Sequence, residues 1–303
     1  MATQTQSNTN TNIDARIFGL IQRRDSSELA TYLDALDQAL PAGGKAAKAL
    51  GRNMNEIQKP STVVSTATAY TGLVSGDHDI VAALLRNSLV DASMLDNGAL
   101  IAAAETGRAD IVSLLLTDLR VDPLAENGRA LALAAARKDD NNEMFNALFA
   151  RIAPETVWDP TLPLAVAARA GNAAIVATLL KSIVAQTTAP DSERRTRVSM
   201  ALVFAAENGN PESVRSFLSL PSSVIDIKLS NDAAYLIAFK YANAEVMQLL
   251  LDTNLINHAE LFGKSVGPPI DLAIADPAFW VPKASGALKF YSTVCNLVAP
   301  VAP

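Results

Sequence analysis

Residues 98–116 read GALIAAAETGRADIVSLLL, an alanine-rich segment followed by a glycine and then by a second apolar segment. In the second segment apolar residues recur from Ile111 to Leu116 with the spacing i, i+1, i+4 and i+5, which places them on one face of a helix. Gly107 separates the two segments, and glycine ends helices because it adopts the left-handed conformation without a Cβ clash. The stretch therefore predicts a short helix, a glycine-terminated turn and a second amphipathic helix.

The same two-segment unit recurs along the chain. Equivalent positions of the second segment are Ile80, Ile111, Met144, Ile175, Ser213 and Val246, so successive units are 31, 33, 31, 38 and 33 residues apart. A near-constant period of this length predicts a repeat array. One helix pair alone cannot bury both of its faces, so we expect the pairs to stack on one another.

The composition favours thin helical layers. Half of the 303 residues are hydrophobic, but only 5% are aromatic. Alanine lets short helices approach closely, whereas a deep globular core needs bulky side chains to fill space. We therefore expect a single elongated, curved solenoid.

These units resemble the repeats of the ankyrin family. The Thr-Pro-Leu-His-x-Ala-Ala opening of that family is best matched at 161–168, TLPLAVAA, with a one-residue insertion, and 269–274 carry a diverged form of it. The segment 114–131 is similar to the family's inter-repeat connection, with Val121-Asp122-Pro123 opening a hairpin-like loop. The resemblance is best between residues 65 and 260, and it implies an all-α, ankyrin-like helix-pair solenoid of about seven to eight repeats with irregular caps.

The same pattern predicts the boundaries. We expect a disordered polar tail at 1–12, N-terminal capping helices and an insertion at 13–62, the repeat array at 63–264 and a C-terminal capping repeat at 265–303. Within these regions, 38–62 and 186–198 are insertions of unassigned role. Arg194, Arg195 and Arg197 fall in the second insertion, where a solvated loop is the preferred interpretation.

Charge and composition exclude several classes of partner. The net charge is −6, and no basic stripe of the kind that offsets nucleic-acid phosphates is visible. No apolar stretch is long enough to predict a membrane span. Cys295 is the only cysteine, so no intrachain disulfide can form. We expect a cytoplasmic location and, with the oligomeric state left open, a monomer. The polar N-terminus resembles export leaders of bacterial effectors, which would place the chain in a host-cell cytoplasm.

The sequence does not predict an enzyme. Lys45 and Lys264 follow glycines as in phosphate-binding loops, but the first glycine of that motif is replaced in both places. The two histidines, His78 and His258, lie in different repeats, so we expect no metal site. No Gly-x-Ser-x-Gly elbow occurs. We expect no catalytic residue and no cofactor.

The resemblance implies two sets of partner-binding residues. The loop-tip set is Asp96, Asn97, Glu126, Asn127, Arg129, Trp158 and Asp232. The first-helix set, the residues just before each turn, is Glu105, Thr106, Lys138, Asp139, Arg169, Glu207, Asn208, Lys240 and Tyr241. Exposed aromatic residues often anchor interfaces, so Trp158 and Tyr241 are either anchors or packing residues, and the sequence leaves both interpretations open.

The preferred function is therefore a scaffold that binds another protein through its loop tips and first-helix surface. One alternative is a bacterial effector that acts by binding a host protein. Another is an enzyme whose activity lies in the non-repeat N-terminal region. A third is a structural spacer without a partner.

Overall fold

The fold is all-helical wherever the structure, a computed structural model, describes the chain. The described residues are 15–39, 71, 73–74, 77–87, 90–137, 142–153, 155–186, 191–256, 290 and 293–294. Every regular element within these ranges is a helix, which confirms the predicted all-α class. The tail at 1–12, Gly76, Lys138, Asp139, His258, Cys295, most of the 38–62 insertion, both lysine-containing loops and nearly all of the C-terminal cap lie outside the described residues.

The helices are short and follow one another closely. Their bounds are α1 15–23, α2 Ser26–Ala39, α3 His78–Leu85, α4 Met94–Thr106, α5 Ala109–Leu115, α6 Ala125–Ala135, α7 Glu143–Ala150, α8 Thr161–Ala170, α9 Ala173–Gln186, α10 Ser192–Asn208, α11 Pro211–Leu218, α12 Leu229–Lys240 and α13 Ala244–Leu251.

The chain divides into two compact units. The first comprises 1–125 with 147–151, and the second comprises 126–146 with 152–303. In the first unit α2 packs on α3, α3 on α5 and α4 on α5. In the second unit the pairs α8–α9, α10–α11 and α12–α13 pack so that α8, α10 and α12 are neighbours, as are α9, α11 and α13. The second unit thus contains stacked helix pairs, as the period predicted.

Glycines end the first helices as predicted. Gly107, Gly171 and Gly209 have φ of 79°, 79° and 77°, in the left-handed region. At the second of these turns the Gly171 N–H donates to the carbonyl oxygen of Ala168, and the Asn172 N–H donates to that of Ala167. These two bonds satisfy the carbonyl groups that a helix leaves free at its C-terminal end.

The connection between successive repeats at 121–128 differs from the predicted hairpin-like loop. After Asp122 the chain makes tight turns and then places Glu126, Asn127 and Gly128 in the left-handed region, with φ of 50°, 60° and 71°. Leu95, Asp96 and Asn97 repeat this conformation at the start of α4. The predicted hairpin-like loop is thus a tight turn at 122–125 followed by a left-handed segment, in which Asn127 and Gly128 are residue types that tolerate positive φ.

An aspartate begins each described turn that leads from one helix pair into the next. This recurring aspartate is not among the sequence predictions. Asp91, Asp122, Asp159 and Asp226 each accept a hydrogen bond at Oδ1 from the N–H two residues later, at 2.9–3.1 Å. Aspartate commonly closes turns in this way. The recurring signal is an apolar residue followed by aspartate, as in Val90-Asp91 and Val121-Asp122.

The arginine cluster is helical, so the loop predicted for it is wrong. Asp191 caps α10 by accepting the Glu193 and Arg194 N–H groups, and the helix then runs through the cluster. Arg197 pairs with Asp159, and Arg195 lies 3.6 Å from a carboxylate oxygen of Asp226. A capped helix start and two ion pairs to turn aspartates therefore account for these arginines.

Candidate partner-binding surface

The first helices of the second unit offer almost no side surface. Every residue of α8 is buried, as are 198–206 of α10 and 232–238 of α12. The buried segments therefore cannot contribute to the predicted first-helix surface. These segments are apolar on nearly every face, and a helix of that kind is covered all round. Outside these segments α10 is exposed at 192–193 and half-buried at 194–197, and α12 is exposed at 239–240.

Arg169 lies inside the second unit, which removes it from the predicted surface. It is 5% exposed, and its Nη1 donates to the Glu207 carboxylate at 2.7 Å. Its guanidinium carbon lies 5.4 Å from the ring centre of Phe204, and its Nε has no hydrogen-bond partner among the residues that the structure describes. Arg169 therefore joins α8 to α10 and does not present its charge to a partner.

Tyr241 and Lys240 extend this contact to the third helix pair. The Tyr241 hydroxyl lies near the Glu207 carboxylate, and the Lys240 Nζ lies 5.2 Å from the Tyr241 ring centre. We call Arg169, Glu207, Lys240 and Tyr241 the turn-end cluster. Tyr241 is half-buried in it, which favours the packing interpretation, whereas Lys240 is exposed.

Burial determines the acid–base properties of the turn-end cluster. Desolvation raises the pKa of Glu207 above its ordinary value, although the nearby Arg169 and Lys240 charges oppose the shift. Desolvation and the Glu207 carboxylate also raise the pKa of Tyr241. Removal from water disfavours the charged forms of the Glu207 carboxyl and the Tyr241 hydroxyl, which is why both pKa values are raised.

Asparagine side chains tie successive turns together in the second unit. The Nδ2 groups of Asn210 and Asn243 donate to the carbonyl oxygens of Gly171 and Ala206, at 3.0 and 2.8 Å. The Asn172 Nδ2 donates instead to the side-chain Oδ1 of Asn142. Sequence reasoning missed this asparagine ladder, although asparagine recurs directly after the turn residue at 172, 210 and 243. Asn208, predicted to contact a partner, instead donates to the Arg169 carbonyl oxygen at 3.1 Å.

In the first unit the residues predicted to contact a partner, from both the loop-tip and the first-helix set, separate into exposed and buried positions. Asp96, Glu105 and Thr106 are exposed. Asn97 is only 7% exposed, and its Oδ1 accepts the Asp122 N–H at 2.8 Å. Asn97 therefore holds the following connection in place, which corrects its prediction as a contact residue.

The loop-tip residues of the second unit separate in the same way. Glu126, Asn127 and Arg129 are exposed, with a 2.9 Å ion pair between the Glu126 and Arg129 side chains. Trp158 is half-buried, and a Cβ built at Gly128 would lie 3.7 Å from its ring. Trp158 thus packs over Gly128, and Asp232 is only 8% exposed.

Another feature of the second unit is an apolar groove between α9 and α11. It has a volume of about 460 Å³ and is lined by residues that include Leu180, Val184, Leu220 and Pro221. No helix in the described part of the chain combines the length and apolarity needed to cross a membrane. Within the same ranges no three His, Cys, Asp or Glu side chains are grouped to hold a metal ion.

No protein-family model and no curated protein matched this chain. The predicted contact residues differ in their exposure to solvent. Those that remain exposed from the two predicted sets are Asp96, Glu105, Thr106, Glu126, Asn127, Arg129 and Lys240.

Proposed function

We propose that this chain is an ankyrin-like helix-pair solenoid that binds a partner protein and catalyses no reaction. In this proposal the partner contacts the exposed loop tips and the C-terminal ends of the first helices. In the second unit we assign binding to two groups of exposed residues, Glu126, Asn127 and Arg129 at a loop tip and Phe239 and Lys240 at the end of α12.

Phe239 carries the proposal. It stands directly before Lys240, as Ala168 stands before Arg169 and Ala206 before Glu207. The two alanines are fully buried parts of the repeated frame, but Phe239 is 41% exposed. A large aromatic side chain at the surface, where the frame itself needs only alanine, is typical of an interface anchor.

The neighbouring charges complement this anchor. Lys240 is exposed beside Phe239, whereas the equivalent Arg169 and Glu207 side chains are paired with each other. A cation at the rim of an apolar contact contributes mainly to orientation and association rate. The proposal therefore assigns affinity to Phe239 and steering to Lys240.

The test is affinity capture with the full-length chain. The variant Phe239→Ala/Lys240→Ala places alanine at position 239, as at the equivalent positions of the two preceding helix pairs, so the variant should still fold. The control is Thr178→Ala/Lys181→Ala on α9, which changes a different surface. Before capture, circular dichroism and thermal unfolding should show that both variants retain the wild-type fold.

The expected result is a partner retained by the wild type and by the control but released by the Phe239→Ala/Lys240→Ala variant. Reduced affinity should then be measured with the purified partner, since truncating a central aromatic anchor lowers affinity by about tenfold or more. Equal retention by all three proteins would show that Phe239 and Lys240 do not bind the partner.

A further inference from the structure

We propose that Asn127 is a site of spontaneous deamidation, and that Asn97, in an almost identical local setting, is protected from it by the fold. The two sites are Asp96-Asn97-Gly98 and Glu126-Asn127-Gly128. Their asparagines share a left-handed backbone, with φ and ψ of 62° and 32° at Asn97 and 60° and 38° at Asn127.

The reaction needs only the chain and water. The backbone nitrogen of Gly128 attacks Cγ of Asn127 and forms a five-membered succinimide. The bond from Cγ to the amide nitrogen breaks, and the amide nitrogen leaves as ammonia with the proton lost by Gly128. Water then opens the ring at either carbonyl and gives aspartate or isoaspartate. Glycine favours the attack because it carries no side chain beside the reacting nitrogen.

The surroundings of the two carboxamides differ. Asn97 is buried, and its Oδ1 accepts the Asp122 N–H at 2.8 Å. Rotating this carboxamide toward the Gly98 nitrogen would leave the Asp122 N–H without its acceptor, which opposes the reaction. Asn127 is exposed, and within the described part of the chain its side chain makes no hydrogen bond. The Asn127 carboxamide is therefore able to rotate without breaking a contact.

The product would change the loop tip of the second unit. Deamidation adds a negative charge next to Glu126, whose carboxylate pairs with Arg129 at 2.9 Å. Isoaspartate also lengthens the backbone by one methylene group, which the left-handed turn at 126–128 does not accommodate. The site does not depend on the proposed partner-binding function, because the reaction requires no partner.

The full-length chain should be incubated at pH 8 and 37 °C and digested with trypsin at successive times. Cleavage at arginines places Asn127 in the peptide 121–129 and Asn97 in the peptide 87–108, and fragment-ion mass spectra separate the acid product at Asn97 from that at Asn87 in the same peptide. A parallel incubation in urea supplies the control, because both Asn-Gly pairs are then released from the fold. An Asn127→Gln variant identifies the product that belongs to Asn127.

We expect Asn127 in the folded chain to deamidate about tenfold or more faster than Asn97, and the two rates to approach each other in urea. The isoaspartate form should elute separately from the aspartate form. Equal rates in the folded chain would overturn the proposal. So would reaction of both residues in urea with none in the folded chain, because the turn itself would then protect Asn127.

Discussion

Arg169 and Glu207, 38 positions apart in sequence, form an ion pair of 2.7 Å that is almost completely withdrawn from solvent. The pair joins α8 to α10, and Lys240 and Tyr241 extend it to the end of α12. It replaces, at these positions, the solvent-facing polar surface that the resemblance to ankyrin repeats implied.

Replacing Arg169 by Met should lower the free energy of unfolding by about 3 kcal/mol, because it leaves a carboxylate buried without its main partner. The loss should be at the low end of that usual for a broken buried ion pair, because the positive charge of Lys240 remains near Glu207. The double variant Arg169→Met/Glu207→Leu should recover at least half of the loss, since no buried charge is then left unpaired. Urea unfolding of the wild type and the variants gives these energies. A single variant as stable as the wild type would contradict the prediction.

Stability should depend on pH through Glu207. Burial raises the pKa of this carboxyl above 4.5 in the folded state, so the folded chain binds the proton more tightly than the unfolded chain. The resulting contribution is fully present below pH 4.5 and is lost as the pH rises through the raised folded value. As the pH rises from 4.5 through the raised folded pKa, the wild type should therefore lose stability relative to the Glu207→Gln variant. Urea unfolding at a series of pH values measures it, and a difference independent of pH would refute the assignment.

Ala242→Gly should stabilise the chain by about 1 kcal/mol, because Ala242 has a φ of 54° at the turn position where other pairs carry glycine. The matched control is Ala244→Gly, in the first turn of α13, where the backbone is helical. That change should destabilise by about 0.5 kcal/mol through the extra freedom of the unfolded chain. Thermal unfolding distinguishes the two directions, and the same sign for both would show that the backbone at Ala242 is not strained.

Gly171→Ala should destabilise by about 2 kcal/mol or more. Gly171 is left-handed, and an added Cβ would overlap the side chain of Asn208. Gly19 in α1 is the matched control, because a Cβ added there meets no atom within 4 Å. Gly19→Ala should therefore stabilise by up to about 1 kcal/mol through helix propensity. Denaturant unfolding tests both, and a neutral Gly171→Ala would be inconsistent with the packed turn.

Asn210 has two separable roles in the asparagine ladder. Its Oδ1 accepts the Ser213 N–H at the start of α11, and its Nδ2 donates to the Gly171 carbonyl oxygen, each at 3.0 Å. Asn210→Asp keeps the acceptor and should cost about 1 kcal/mol, whereas Asn210→Ala removes both bonds and should cost about 2 kcal/mol. An Asn210→Asp variant as stable as the wild type would mean that the bond between the pairs contributes nothing, and equal unfolding free energies for the two variants would mean that the bond from the Ser213 N–H contributes nothing.

The local features of the fold could be predicted because their causes are local. The apolar face that begins at Ile111 and the glycine at 107 specify a helix pair within about 20 residues, and the structure places both as expected. The left-handed turn at 126–128 also has a local signal, Asn-Gly. The family resemblance favoured a hairpin at that point, and the more specific signal was overlooked.

The surface was harder to predict because exposure depends on contacts far apart in sequence. The residues of α8 are apolar on almost every face, which indicates complete burial, but the resemblance assigned one face to solvent. Nothing near Arg169 indicates that its partner is Glu207. That pairing depends on how two helix pairs are aligned, and this alignment is a property of the packed structure.

The asparagine ladder also restricts where this chain can change in length during evolution. Asn172 and Asn210 must each reach the preceding turn, so an inserted residue between a turn and its asparagine would break the bond. The longest interval between repeats accordingly lies between these two asparagines, where α9 is extended to 14 residues and α10 to 17. New segments can thus be accepted at that end of the pairs, opposite the turns, while the spacing of the frame is kept.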